Sequence, residues 1–176
     1  MTLMRAPQIV VVEYDGWIAR HLSDLAAECA WLVRDTRGAE DARSFVRERG
    51  PCVLIVQVEP ADDKPEPLRL IADVRRTSSD VPVVAVSDVK LSDADRIAWT
   101  AALFDLGARY VLFPPLTKPV LEDVVSGLMA CAVRRVLGEA ASEPKPTAAA
   151  PAPRPRPRRA KREDEVIDLA DEDLHE

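Results

Sequence analysis

Two acidic side chains near the amino terminus are the first candidates for chemistry. Glu13 and Asp15 follow the apolar run 9–12 and are separated by Tyr14. Carboxylate oxygens are the ligands that hard divalent cations prefer, so the two acids could form a cation site. The alternative is that both are solvated acids of a turn. We favour this second interpretation and predict no metal site.

The other reactive residue types are scattered along the chain. Cys29, Cys52 and Cys131 are far apart and form no CxxC pair, which argues against a metal site and a disulfide framework. We expect them to be small buried residues in a reducing cytosol. His21 has no Ser or Cys partner nearby and is predicted at the surface, and His175 in an acidic, solvated segment. No GxGxxG or P-loop is present, so we predict no catalytic residue and no cofactor.

Short apolar runs alternate with helix-length segments over the first 138 residues. The runs are 9–12, 31–33, 53–56, 83–86 and 110–113, and the helical patterns are 17–29, 39–49, 68–76, 93–106 and 118–137. Continuous apolar runs are typical of parallel strands that are buried on both faces. The alternation predicts an α/β fold, a doubly wound five-stranded parallel sheet of the flavodoxin-like (βα)5 type.

Charge and proline content divide the chain into three segments. Residues 1–138 carry 17 basic and 20 acidic residues, as expected for a near-neutral globular domain. Residues 139–162 are rich in Pro, Ala and Arg with 7 basic and 2 acidic residues, which predicts a disordered basic linker. Residues 163–176 carry 8 acidic and no basic residues. Val166, Ile167, Leu169 and Leu174 lie among these acids, and we predict that this motif binds a partner.

No apolar run approaches the ~20 residues that a membrane-spanning helix needs, and the short run near the amino terminus is too brief for a signal peptide. We therefore expect a cytoplasmic protein without a membrane span.

Five segments, taken in order, resemble response-regulator receiver domains. They read IVVVEYDGWIARHL, GAEDARSFVRERGPC, PCVLIVQVEP, VPVVAVSD and GARYVLFPPLTKPVLEDVV. The resemblance covers roughly residues 7 to 137 and identifies residues 1–138 as a receiver-like domain. It implies a bacterial two-component (phosphorelay) signalling protein, in which an aspartate receives a phosphoryl group with the help of Mg²⁺, a hydroxyl and a lysine.

Several of the implied chemical positions are changed in this sequence. The acceptor position is Gln57, and the paired-acid position is Glu13 followed by Tyr14. The hydroxyl remains as Ser87, whereas the lysine position is Pro114. The proline after it is kept as Pro115, and the resemblance implies a cis bond there, although a trans loop is the alternative. The sequence thus resembles a degenerate receiver, a pseudo-receiver, that does not accept phosphate.

The favoured functional prediction is a phosphorylation-independent protein-interaction module, a signalling adaptor or scaffold without enzyme activity. Its partners are expected on the face of the fourth helix, fifth strand and fifth helix and on the carboxyl-terminal segment, and a homodimer is compatible with the sequence. The alternative is a working phospho-receiver that uses another acceptor, for example Asp15, Glu59 or Asp88.

A weaker alternative is a nucleic-acid-associated adaptor that acts through the basic linker. Its anion contacts would be Arg154, Arg156, Arg158, Arg159, Lys161 and Arg162. Nucleic-acid binding is disfavoured because the stretch lacks interleaved aromatic residues and is followed by a strongly acidic segment.

Overall fold

Five strands and five helices alternate in the computed structural model, which describes residues 6–48, 50–60 and 65–138. The strands are β1 (Gln8–Val12), β2 (Leu32–Thr36), β3 (Cys52–Gln57), β4 (Val83–Val86) and β5 (Tyr110–Leu112). The helices are α1 (Trp17–Glu28), α2 (Ala39–Val46), α3 (Glu66–Thr77), α4 (Asp93–Leu106) and α5 (Lys118–Val136). All the described residues belong to one compact unit.

The strands form one parallel sheet in the order β2-β1-β3-β4-β5. This order confirms the predicted flavodoxin-like arrangement, in which the connection through α2 passes over β1 and the strand order reverses at β1 and β3. Every residue of β1, β3 and β4 is buried, as the continuous apolar runs predicted. The edge strands β2 and β5 are half-buried to exposed.

The helices cover the two faces of the sheet. Helices α2, α3 and α4 pack on one face, around Ala42, Leu70 and Leu103. Helices α1 and α5 pack on the other, where Leu22 and Val125 are fully buried. Since both hydrophobic clusters are formed by residues between 9 and 133, the domain contains the apolar core that a stable unit of this size needs.

The helices differ in how their ends are capped. The Ser92 hydroxyl accepts a hydrogen bond from the Asp95 N–H at the start of α4, the usual contact of a serine N-cap. Gly107 ends α4 with φ 117°, a conformation that suits glycine. Thr117 occupies the N-cap position of α5, but its side chain makes no capping hydrogen bond.

Several burial and boundary predictions were wrong. The apolar residues that define the helical pattern 93–106 include Ile97 and Phe104 and were expected in the core, yet these two side chains are 69% and 48% exposed. Cys29 and Cys131 are also exposed, and only Cys52 is buried. The apolar run 31–33 predicted a second strand that was too short, because β2 spans Leu32–Thr36.

The extension of β2 has a structural reason. An edge strand tolerates polar residues, and the Arg34 guanidinium lies over the Phe45 ring and pairs with Glu48.

Among the described residues, no helix is both long and apolar enough to span a bilayer.

Candidate functional site

The candidate site lies at the carboxyl edge of the sheet. Val12 of β1 is in register with Val56 of β3, so Glu13 and Gln57 come next to each other in register at this edge. Gln57 is in turn paired with Val86, which precedes Ser87. The fold thus brings three of the predicted site residues to one edge, where ligands bind in doubly wound sheets.

Glu13 is only 1% exposed, and its carboxylate is used within the fold. Its two oxygens accept hydrogen bonds from the backbone N–H groups of Ile18 and Ala19, both at 2.8 Å. These groups belong to the first turn of α1, and the N-cap residue Gly16 has no side chain to satisfy them. Glu13 therefore replaces the missing cap, and the expectation that it is a solvated turn acid was wrong.

The surroundings of Glu13 shift the pKa of its carboxyl group in opposite directions. Burial disfavours the ionised carboxylate and raises its pKa, while the hydrogen bonds from Ala19 and Ile18 lower the pKa. The negative charges of Asp35 and Asp15 add to the effect of burial, and the net result is a raised pKa. The ionised cap thus carries a desolvation cost that its two hydrogen bonds do not fully offset.

A pH series on wild type and Glu13→Gln tests this balance. The folded protein holds the Glu13 proton more tightly than the unfolded chain, so this residue favours folding most below the ordinary glutamate pKa of ~4.3. We expect the free energy of unfolding of wild type, relative to the variant, to fall as pH rises through the raised pKa of Glu13. Urea unfolding at several pH values measures this difference, and a relative stability that increases with pH would contradict it.

Gln57 joins the end of β3 to the loop after β1. Its side chain is 4% exposed, and its Oε1 accepts a hydrogen bond of 2.9 Å from the Tyr14 backbone N–H. A neutral amide makes this link without placing a second buried charge beside Glu13. Asp15, the next acid along the loop, is exposed as predicted.

Ser87 is fully buried, and its hydroxyl serves the loop that follows β4. Its Oγ accepts a hydrogen bond of 3.2 Å from the Val89 N–H, and its own N–H donates to the Leu112 carbonyl at 2.9 Å. The two bonds fix the turn that carries Asp88, so the hydroxyl has a structural partner in this arrangement.

An open cleft of about 510 Å³ lies beside this turn. It is lined by Asp15, Trp17, Ser87, Asp88, Pro114, Pro115 and Leu116, none of which is basic. The Pro114–Pro115 peptide bond is cis, which confirms the implication of the resemblance. The cleft thus contains a hydroxyl and two carboxylates, and none of the described residues that line it offers a cation to stabilise a transferred phosphoryl group.

The lysine that follows this loop is engaged elsewhere. Lys118 pairs with Asp24 of α1 at 2.6 Å and with Glu122 at 3.7 Å. The hydrogen bond with Asp24 raises the pKa of Lys118, and the same bond lowers the pKa of Asp24. Lys118 therefore links α5 to α1 in this structure.

The acidic residues do not fit a magnesium site of the receiver kind. Both Glu13 oxygens accept hydrogen bonds from backbone N–H groups, and the neighbouring side chain of Gln57 is a neutral amide. Within residues 6–48, 50–60 and 65–138, no cluster of three His, Cys, Asp or Glu residues could hold a metal ion. Asp15 could offer a carboxylate to a hard cation, but the other carboxylate ligands that such a cation requires are not provided by Glu13 or Gln57.

Known structures share this fold over most of their length. The receiver domain of the TMAO respiratory system response regulator TorR is 20% identical, with 70% of this chain and 97% of that domain covered and a TM-score of 0.56. The CheY-like receiver domain protein of Methanospirillum hungatei is 12% identical, with 74% and 99% covered and a TM-score of 0.57. The chain has the fold of a response-regulator receiver domain.

The receiver domain of Francisella response regulator 1452 gives the same result at 18% identity, with 70% of this chain and 97% of that domain covered and a TM-score of 0.53. No protein-family model matches the chain, and no curated protein matches it. The likeness to receiver domains therefore concerns the fold.

Other predicted contacts fall outside this edge of the receiver fold. His21 is exposed as predicted, and its ring packs edge to face on Trp17. The predicted anion contacts in 139–162 and the partner motif in 163–176 lie outside the described residues. The capping role of Glu13 was missed, although an acid three residues before the capless Gly16 was a usable signal.

Proposed function

We propose that this protein is a phosphorylation-independent interaction module, an adaptor or scaffold of the two-component type. The observation that carries the proposal is the use of Glu13 and Gln57 in internal hydrogen bonds. A receiver needs a nucleophilic carboxylate, a metal-binding set of acids and a cation for the transferred oxygens. Here the corresponding positions provide an amide, a helix cap and Pro114.

The partner surface is proposed on the face of α4, β5 and α5. A groove of about 530 Å³ separates α4 from β5. Its lining residues are mainly apolar and comprise Arg96, Ile97, Thr100, Ala101, Phe104, Val111, Leu112 and Phe113. Exposed large apolar side chains grouped around a groove are a common feature of protein-binding surfaces. The acidic segment 163–176 is proposed as a second contact, which would raise the effective concentration of the partner.

A matched pair of substitutions tests the groove. Ile97→Asp places a charge in the groove, and Leu32→Asp places the same charge on an exposed apolar residue of the edge strand β2, which is not part of the proposed face. We expect Ile97→Asp to lower the amount of each specifically captured protein about tenfold and Leu32→Asp to leave it unchanged. Quantitative affinity capture with the full chain measures both. Equal capture by the two variants would remove the groove from the proposal.

Deletion of residues 163–176 tests the second contact in the same assay. We expect weaker capture of the same partners, because the tail and the domain would no longer bind together. Unchanged capture would remove the tail from the proposal while leaving the groove in place.

The second candidate function is a phospho-receiver with a different acceptor. It is favoured by one observation, namely that Asp15 and Asp88 line the cleft beside Ser87. Glu59, the third candidate acceptor, is exposed after β3. Incubation with a small phosphodonor and Mg²⁺, followed by intact-mass analysis, decides between the two functions. A phosphoryl adduct lost on Asp15→Asn or Asp88→Asn would support the phospho-receiver, and an unmodified mass would exclude it.

A further inference from the structure

Three arginines line a pocket at the opposite, amino-terminal edge of the sheet. The pocket has a volume of about 360 Å³ and lies where β4 and β5 begin. Arg75 comes from α3, Arg109 precedes β5, and Arg135 lies near the end of α5. The sequence places these arginines far apart, and the fold brings them to one pocket.

The three guanidinium groups keep most of their hydrogen-bonding capacity. Arg75 donates to the Asp105 carbonyl and Arg135 to the Asp80 carbonyl. Within the described part of the chain, none of the three forms an ion pair with a carboxylate, whereas Arg43 and Arg76 both pair with Asp73. The lining includes one acid, Asp80, so three positive charges face one negative charge.

Part of the wall between the arginines is apolar. It includes Val81, Pro82, Phe104 and Leu128. Gly107 also lines the pocket, and a Cβ atom there would lie 2.6 Å from Arg75 Cδ, so the glycine allows the arginine stem to pack closely. Guanidinium groups favour carboxylate oxygens, and the apolar walls favour aliphatic side chains. The pocket therefore fits an acidic segment that also carries aliphatic residues.

We propose that this arginine pocket binds the acidic segment 163–176 of a second copy of the chain. That segment has 8 acidic and no basic residues together with Val166, Ile167, Leu169 and Leu174, which is the composition the pocket fits. Each copy provides one pocket and one segment, so two copies can exchange segments reciprocally and close a dimer in which both contacts are made. This contact goes beyond the proposed function. Its pocket shares one lining residue, Phe104, with the groove of α4 and β5, and its three arginines lie outside that groove.

The length of the chain permits this exchange. The described residues end at Gly138, three positions after Arg135, and residues 139–162 separate that point from the segment. A proline-rich sequence extends by roughly 3 Å per residue, so these 24 residues can reach a neighbouring molecule.

Sedimentation velocity on the full-length chain tests the proposal. Arg109→Glu is the primary variant, because no hydrogen bond or ion pair holds the Arg109 side chain to the other described residues. Arg134→Glu changes the net charge equally but alters a residue that does not line the pocket. We expect a concentration-dependent dimer for wild type and Arg134→Glu, and a dissociation constant at least about tenfold higher for Arg109→Glu.

A chain that ends at residue 162 provides the second arm. It should be monomeric at concentrations where wild type dimerises, and the wild-type dimer should weaken between low and high salt. A monomeric wild-type chain would overturn the proposal, as would a dimer that is insensitive to Arg109→Glu or to removal of the segment. Capture through the groove of α4 and β5 would be unaffected by such a result, so the two proposals can fail separately.

Discussion

Replacing Glu13 with alanine is expected to lower the free energy of unfolding by about 3 kcal/mol. The substitution removes both acceptors for the Ile18 and Ala19 N–H groups at the start of α1. It also leaves a space at a position that is almost fully buried. Since Gly16 has no side chain that could replace the cap, the first turn of α1 has no nearby substitute.

Urea unfolding followed by circular dichroism measures this effect. Asp15→Ala is the matched control, because it removes an exposed acid two residues away in the same loop. The control is expected to change the stability by less than about 0.5 kcal/mol. If the two substitutions had similar small effects, the capping role of Glu13 would be wrong.

The second large effect is expected from Gln57→Glu, which should destabilise the protein by about 3 kcal/mol at neutral pH. The new side chain keeps the shape and the acceptor oxygen that Gln57 offers to the Tyr14 N–H. It adds a buried negative charge next in register to Glu13. The expected loss of stability therefore comes from desolvation of the new carboxylate and from its repulsion by Glu13 rather than from poorer packing.

Two controls separate charge from shape in this variant. Burial raises the pKa of the introduced carboxyl, so the stability lost at neutral pH should return as pH falls and the group takes up a proton. The double variant Glu13→Gln, Gln57→Glu contains one carboxylate and should be more stable than the sum of the single effects predicts. Additive effects, or recovery of stability with millimolar Mg²⁺, would indicate that this edge tolerates or binds charge as an ordinary receiver does.

The fold could be predicted from the sequence because its signals are local. Buried parallel strands require continuous apolar runs such as 53–56, and this requirement does not depend on the rest of the site. The predicted helical pattern 93–106 matches α4, and the glycine that follows it adopts the left-handed conformation that commonly ends a helix. The chain order of strands and helices then left few arrangements of the sheet.

The site was harder to predict because it depends on which tertiary contacts satisfy each polar atom. Glu13 was expected in solvent. Its carboxylate instead accepts hydrogen bonds at the start of α1, because the N-cap residue Gly16 has no side chain that could do so. Similarly, Ile97 and Phe104 are apolar but exposed, because α4 turns only a narrow stripe around Leu103 toward the sheet. Periodicity indicates which residues share a helix face, but it does not tell how much of that face the sheet covers.

We propose that the strand end at Gln57 does not receive a phosphoryl group. An NMR titration of the ¹⁵N-labelled full-length protein with Mg²⁺ and beryllium fluoride, which mimics a bound phosphoryl group, tests this directly. We predict that the amide signals of Tyr14, Gln57 and Ser87 remain unchanged. Saturable shifts centred on these three amides, accompanied by a bound-fluoride signal, would show that this strand end binds a phosphoryl group.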